Sequence, residues 1–419
     1  MRPRSAGVPC PGAIFEAGTG AGPLSGLPRV APRTAITRDP QPVTDHAAQP
    51  LQRDALLRQA AGLGASDLLI TAGQPVMVTV AGVLQALPGG APLSSMDSRR
   101  LAESFLTPAL LERFERELEL DTRFFLPGVA HFRVNLFVQR GHWGAAVRIV
   151  PLRIPLPAEL GLAPHVVGRV LGITRGLVLV TGPTGSGKST TIASLLEQLN
   201  QHGPRRHVVT VEDPIEFVFE PRNAVFEQRE VGTDTRSYAR GLRGALRQMP
   251  NVIFVGEMRD LASMAIALAA AETGNLVIST MATQNAAQTV TRIVDSFPPH
   301  QQSQVRSQLA LSLKAVVSQV LLPRADGRGR VAAREVLFLN PAIANLIRED
   351  KIHQVPNAIA TGAREDMVSL DDSLADLVDR GTVSFEAAYP YFEDADKRAT
   401  LQQRYYRLAP AAAAGPRRA

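Results

Sequence analysis

The segment "GLVLVTGPTGSGKSTTIASLLEQLN" constrains the fold more than any other stretch of this 419-residue chain. An apolar run ends in a glycine-rich turn, and a helix-periodic run follows at once. The turn, "GPTGSGKS", fits G-x-x-x-x-G-K-[ST] in the setting that pattern requires, with a strand before it and a helix after it. Gly182, Gly185 and Gly187 leave room for backbone N–H groups to face phosphate oxygens at the positive end of the helix. Pro183, Thr184, Ser186 and Thr190 complete the loop. Lys188 is expected to reach the β and γ phosphates of a nucleotide, and the Ser189 hydroxyl to ligate Mg²⁺.

Beyond this loop, the short apolar runs "GLVLVTG", "HVVTVEDP", "VIFVGEMRD" and "LVIST" alternate with helical stretches. Such runs predict an α/β domain whose parallel sheet is covered on both faces. Ligands of such sheets bind outside the carboxyl ends of the strands, so the residues that end the other strands matter most. They are acidic: Glu212 and Asp213, with Glu216 after them, and Glu257, with Asp260 after it. One carboxylate would orient or deprotonate an attacking water, and another would hold the Mg²⁺ shell directly or through water. Acidic residues at strand ends also cap helices, a role that Asp213, Glu216 and Asp260 fit equally well.

The remaining chain divides by pattern. Residues 1–50 hold nine prolines and no helical or strand period, which predicts a disordered leader or translation from a mis-assigned start. An α+β domain is expected over 51–151, a proline-rich linker over 152–164, the P-loop core over 165–339, a helical region over 340–408 and a loose tail over 409–419. Hydrophobic residues make up 45% of the chain, enough for more than one core. A single cysteine, Cys10, excludes an intramolecular disulfide and a multi-cysteine zinc site, and fits a reducing compartment. No apolar run is long enough to span a bilayer and no signal-peptide core is present, so a cytoplasmic location is expected. The net charge of +6 permits nucleic-acid contact, yet one Trp and five Tyr supply no aromatic-and-basic stripe. The histidines, His131, His142, His202, His207, His300 and His353 among them, lack metal-ligand spacing. Trp143 reads as core or interface.

With these residues in view, the chain resembles the retraction ATPases of type IV pili, the twitching-motility branch of the type II/IV secretion ATPase superfamily. "ASDLLITAG" is similar to that family's opening strand, "GVAHFRVNLFVQRG" to its arginine-bearing segment and "GLVLVTGPTGSGKSTT" to its Walker A region. "TVEDPIEF" resembles its aspartate box, "VGEMRD" its Walker B segment and "PAIANLIRED" its C-terminal helix motif. The resemblance implies a RecA-like P-loop ATPase domain, an N-terminal PAS-like α+β domain and a small C-terminal helical region. It further implies a hexameric ring with ATP bound between the two larger domains, peripherally associated with the inner membrane, where the pilus platform protein is its partner. Carried over by position, Glu212 takes the general-base role and Glu257 the Walker B role near Mg²⁺. Arg133 and Arg140, with Arg148, match the arginines that approach the phosphates.

The chain departs from the family in three places. Met249 and Asn251 stand where an acidic pair flanks the proline, and Ala344 replaces an arginine, while Arg348 is retained. Both members of the histidine box are missing, with Asn275 and Ala282 in their places. Asn275 keeps an amide that is expected to sense phosphate, with Thr280, Thr283, Gln284 and Asn285 near the same strand end. Loss of one transition-state donor costs on the order of 10² to 10³ in rate. Three functional readings follow: a retraction motor, a slowly hydrolysing accessory subunit that joins a more active paralogue by hetero-assembly, and a nucleic-acid-translocating ring.

Overall fold

The computed structural model describes residues 53–80 and 82–413. The expected leader lies outside them, as do the last six residues of the expected tail.

The first half opens with α1 (Arg53–Gly62), β1 (Ala65–Ile70), β2 (Met77–Val80) and β3 (Val83–Ala86), then α2 (Ser95–Glu103) and α3 (Pro108–Glu117). Three longer strands follow, β4 (Glu119–Leu126), β5 (Ala130–Gln139) and β6 (His142–Pro151). All six form one antiparallel sheet in the order β3-β2-β1-β6-β5-β4. Period-two alternation decides its faces: Ala130, Phe132, Val134 and Leu136 of β5 are buried, and His131, Arg133 and Asn135 between them face the other way. The apolar face packs with Leu57, Leu101 and Phe114 of the three helices. Trp143 belongs to this core, edge-on to Phe114 at 4.8 Å, with the Arg99 guanidinium 4.5 Å over its ring. On the opposite face, register aligns Arg123, Arg133, Arg148 and Asp67 into one row across four strands.

After α4 (Pro164–Gly172) the second sheet begins with β7 (Gly176–Thr181), the P-loop and α5 (Lys188–His202). It continues through β8 (His207–Glu212), β9 (Val225–Glu230), α6 (Tyr238–Ala245), β10 (Val252–Val255), α7 (Leu261–Glu272) and β11 (Leu276–Met281). Two helices, α8 (Ala286–Asp295) and α9 (Pro299–Ser312), precede β12 (Leu313–Pro323) and β13 (Arg330–Phe338). The order is β13-β12-β7-β11-β10-β8-β9, parallel except for β13. Every residue of β7 and β11 is buried, because both faces are covered. Leu177 and Leu179 of β7 point into a core with α6 to α9, while Val178 and Val180 point into one with α4 and α5. The expected class, an α/β P-loop domain preceded by an α+β domain, is thus borne out.

The residues after Asn340 form α10 (Pro341–Arg348), α11 (Val355–Thr361), α12 (Leu370–Asp379), α13 (Phe385–Ala388) and α14 (Ala395–Ala413). They do not make a bundle of their own. Ile343, Ile347, Val355 and Ile359 join the core under α8 and α9, whereas Leu370, Leu374, Phe385 and Leu401 pack on Val320, Leu322 and Ala333 of β12 and β13. No helix among the described residues is long and apolar enough to cross a membrane.

Candidate active site

The P-loop leaves β7 at Gly182, whose φ is 140° and whose missing Cβ would lie 2.2 Å from the Gln319 carbonyl oxygen and 2.7 Å from Ser186 Oγ. Only glycine closes the loop there. Gly187 has φ 85° at the start of α5. The Gln319 side chain of β12 clamps the loop from behind: its Nε2 donates to the Ser186 carbonyl at 2.6 Å, and its Oε1 accepts from Thr191 Oγ1 at 2.9 Å and Arg334 Nε at 3.4 Å. Nothing in the motif signals Gln319 or Arg334. Pro183, Thr184 and Gly185 form an exposed crest, with Ser189 and Thr190 half-buried below. Lys188 Nζ donates to the Gly182 and Pro183 carbonyls at 2.8 and 3.0 Å. Burial lowers the pKa of this amine, while the Glu257 and Glu216 carboxylates oppose the shift. Ser186 Oγ is buried without a partner, and a cavity of about 500 Å³ opens beside it, walled by Gly187, Thr190, Gln319 and Arg334. A cradle closed to a Cβ at Gly182, a half-buried ammonium and an orphaned hydroxyl fit the phosphates of a nucleotide.

Glu212 ends β8 and is 5% exposed. Burial pushes its carboxyl up to about 7, against the pull of hydrogen bonds that Thr210 Oγ1 and Gln228 Nε2 donate to Oε1 at 2.7 and 3.3 Å. The arginine row of the first sheet meets this acidic corner. Arg133 Nη2 donates to the Pro214 carbonyl at 2.8 Å, and its guanidinium is in the field of Glu216, Glu230 and Glu212. Its Nε is buried without a partner. Arg123, which sequence reasoning missed, pairs with the buried Glu230 at 3.2 Å. Arg148 pairs instead with Asp67, at 2.9 Å. Arg140 stands apart, exposed on the β5–β6 turn at φ 50°, about 23 Å along the strand from Arg133.

Glu257 follows β10 and is held by Arg259, whose Nε and Nη2 both lie 2.7 Å from Oε2. Thr280 of β11 brackets this carboxylate, its Oγ1 donating to the Gly256 carbonyl at 2.6 Å and its own carbonyl accepting from Met258 N at 3.1 Å. Asp260 caps α7 through Ser263 N. Ala282 lies one residue past Met281, whose carbonyl accepts from Gly182 N at 3.3 Å, so this vacated histidine position does adjoin the P-loop. Asn275 does not. It precedes β11, beside the residues that start β7 and β10, and its amide donates to the Pro250 carbonyl at 2.7 Å. Six strand residues, about 20 Å, separate it from the loop, so the expectation that its amide senses phosphate is corrected. Thr283 and Asn285 are also engaged, Thr283 with Thr289 and Asn285 as the cap of α8 and a donor to Glu393.

Behind the loop runs a buried polar chain. Thr181 Oγ1 lies 2.9 Å from Ser318 Oγ, which donates to Glu335 Oε1 at 3.3 Å, and the same oxygen accepts from Ala286 N at 2.7 Å. Burial raises Glu335 to about 7, and the carboxylates of Glu393 and Asp371 add to the shift.

Residues 163–388 match the family described as "Type II/IV secretion system protein". The type IV pilus retractation ATPase PilT of Pseudomonas aeruginosa is 47% identical over 335 residues, 80% of this chain and 96% of that one. The chain belongs to the type II/IV secretion ATPase family, in its pilus-retraction branch. The type IV pilus ATPase PilU of the same organism is 35% identical over 83% of this chain and 90% of its own length. A crystal structure of the pilus retraction motor PilT with bound ADP superposes with a TM-score of 0.76 at 43% identity, covering 83% of this chain and 98% of that one. This secretion ATPase is therefore an enzyme that uses a nucleotide, as its P-loop predicts.

Proposed function

We propose that this chain is the ATP-hydrolysing motor subunit of a type IV pilus retraction machine, working as a homo-hexamer on the cytoplasmic face of the inner membrane against the pilus platform protein. The observation that carries this reading is the convergence of Lys188, Glu257, Glu212 and Glu216 at one end of the second sheet, with Arg133 and Arg123 of the first sheet set against them. Bound Mg²⁺·ATP supplies the phosphoanhydride to be cleaved and the divalent charge that offsets the phosphates. The backbone of residues 182–187 and the Lys188 ammonium hold the phosphates, and the Ser189 hydroxyl and Glu257 hold the metal. Glu212 accepts the proton of the attacking water, its carboxyl oriented by Thr210 and Gln228. Arg133 reaches across the domain boundary to stabilise charge that develops in the transition state, so closure of the two domains and hydrolysis are coupled. Arg140, exposed on its turn, is left to act at the site of a neighbouring subunit.

Steady-state hydrolysis by the purified oligomer tests the assignment. Glu212→Gln should lower kcat by about 10²-fold or more while ATP binding persists. Equal turnover in the two proteins would remove Glu212 from the chemistry, and a parent protein that binds ATP without turning it over would remove the motor role.

A further inference from the structure

We propose that a basic pocket at the β9 edge of the second sheet binds a compact polyanion carrying two or three phosphate groups, at a site separate from the P-loop. The pocket, about 500 Å³, is walled by Arg229, Arg236, Arg240 and Arg247 and by the turn 232–235. None of its lining residues belongs to the P-loop. Arg229 projects from β9. Arg236 lies just ahead of the Ser237 cap of α6, Arg240 one turn into that helix and Arg247 just past its end. The Arg229 guanidinium lies close over Gly244, where a Cβ would come within 2.9 Å of Nη1.

The charge of this pocket is unbalanced. Among the described residues, none of the four arginines forms an ion pair. The single lining carboxylate, Asp234, already accepts from Glu230 N at 2.9 Å, and Arg229 Nη2 reaches only the Asp234 carbonyl, at 3.2 Å. From Arg236 to Asn251 the chain contains no acidic residue. Like charges at this spacing repel, so a bound anion relieves a cost that folding otherwise bears. Guanidinium forks match phosphate oxygens in pairs, and four of them around one cavity favour a ligand with several phosphates over a lone anion. A volume of about 500 Å³ suits a compact molecule. The turn that closes the pocket also holds the partner of Arg123, since Thr233 Oγ1 donates to Glu230 Oε1 at 3.3 Å. An occupant would therefore stiffen the seat of the interdomain contact.

The test uses the full chain with its P-loop first saturated by MgADP, titrated calorimetrically with inorganic tripolyphosphate. In parallel, the protein is sedimented with vesicles of equal parts cardiolipin, whose headgroup carries two phosphates, and phosphatidylcholine. One saturable site per chain is expected, weakened by about tenfold or more in Arg240→Ala/Arg247→Ala, whose side chains are exposed and whose loss should leave the melting curve unchanged. Arg243→Ala removes an exposed charge on the same helix outside the pocket, and should leave affinity within about twofold. Tripolyphosphate binding without vesicle binding identifies a soluble ligand, and vesicle binding lost in the same double variant identifies a lipid headgroup. Equal affinity in the double variant, an equal loss in Arg243→Ala, no binding of either probe, or binding of a polyglutamate peptide in place of phosphate would each overturn the proposal. Because the P-loop is already filled, a negative result here leaves the ATPase assignment standing.

Discussion

Glu212 joins a position at the end of a parallel strand to nearly complete burial, and the burial sets its titration. Its folded pKa, about 7, lies above the ordinary carboxyl range, so the basic form needed for proton abstraction is gained as pH rises through neutrality. A kcat–pH profile should climb through about pH 7, and Glu212→Gln should flatten that limb along with the rate. The two vacated histidine positions separate just as clearly. Ala282 adjoins Gly182, whereas Asn275 ties the far end of the sheet to the Pro250 carbonyl. Ala282→His should change kcat, by up to the 10² to 10³ range of a transition-state donor. Asn275→His should leave kcat within about twofold and cost on the order of 1 kcal/mol in stability, through loss of one hydrogen bond. A change in turnover confined to Asn275→His would contradict the strand geometry.

Among the elements, β11 and β12 hold in place the groups proposed for the chemistry. Thr280 fixes the turn that carries Glu257, and Gln319 fixes the P-loop against α5. Thr280→Val should destabilise the fold by about 1 to 2 kcal/mol, by leaving the Gly256 carbonyl with one bond fewer, and should raise the Mg²⁺ requirement measured in hydrolysis. The chain from Thr181 through Ser318 to Glu335 joins the P-loop strand to the start of α8. Glu335 is raised to about 7, so the folded state holds its proton more tightly than the unfolded state does. That contribution to stability is present below the unfolded carboxyl pKa and is lost as pH rises through about 7. Melting temperatures taken from pH 5 to 8 should therefore fall, and Glu335→Gln should reduce the slope, by about 2 to 3 kcal/mol across the range at most. Glu212, raised in the same way, keeps part of the slope in that variant.

For the whole molecule, the decisive contact is between the two sheets. Three arginines in register on one face of an antiparallel sheet are unfavourable alone: Arg148 is offset by Asp67 of the same sheet, while Arg133 and Arg123 meet the segment after β8 and Glu230 at the end of β9. Arg133→Ala should lower kcat by at least about tenfold and expose the segment 152–162 to protease, because the same side chain donates to the Pro214 carbonyl and lies in the field of the acidic group. Arg133→Lys should recover little of either, since a compact ammonium on a shorter stem does not reproduce the Nη2 contact with the Pro214 carbonyl. Protection and turnover equal to the parent in both variants would show that the two domains communicate by another route.

How much of this was legible varied with the range of the interaction. The P-loop, the apolar parallel strands and the acidic strand ends are local patterns, and phosphate binding needs nothing more remote than a strand, a turn and a helix. The sequence by itself therefore determined the α/β class, the nucleotide and the identity of Lys188, Ser189, Glu212 and Glu257 as the residues to watch. Asn275 and Ala282 are read together as one box in the sequence, and it is the parallel register of β11 with β7 that puts only the Ala282 end beside the P-loop and leaves Asn275 about 20 Å away at the start of the strand. Nor could spacing along the chain reveal Arg123 or Gln319, because each depends on residues brought together from distant segments by sheet order, or the pocket of arginines, whose members share the segment 229–247 but face one cavity only once α6 packs beside β9. Local chemistry is written in consecutive residues, whereas the pairing of Arg123 with the buried Glu230 exists only once tertiary packing has set one sheet against the other.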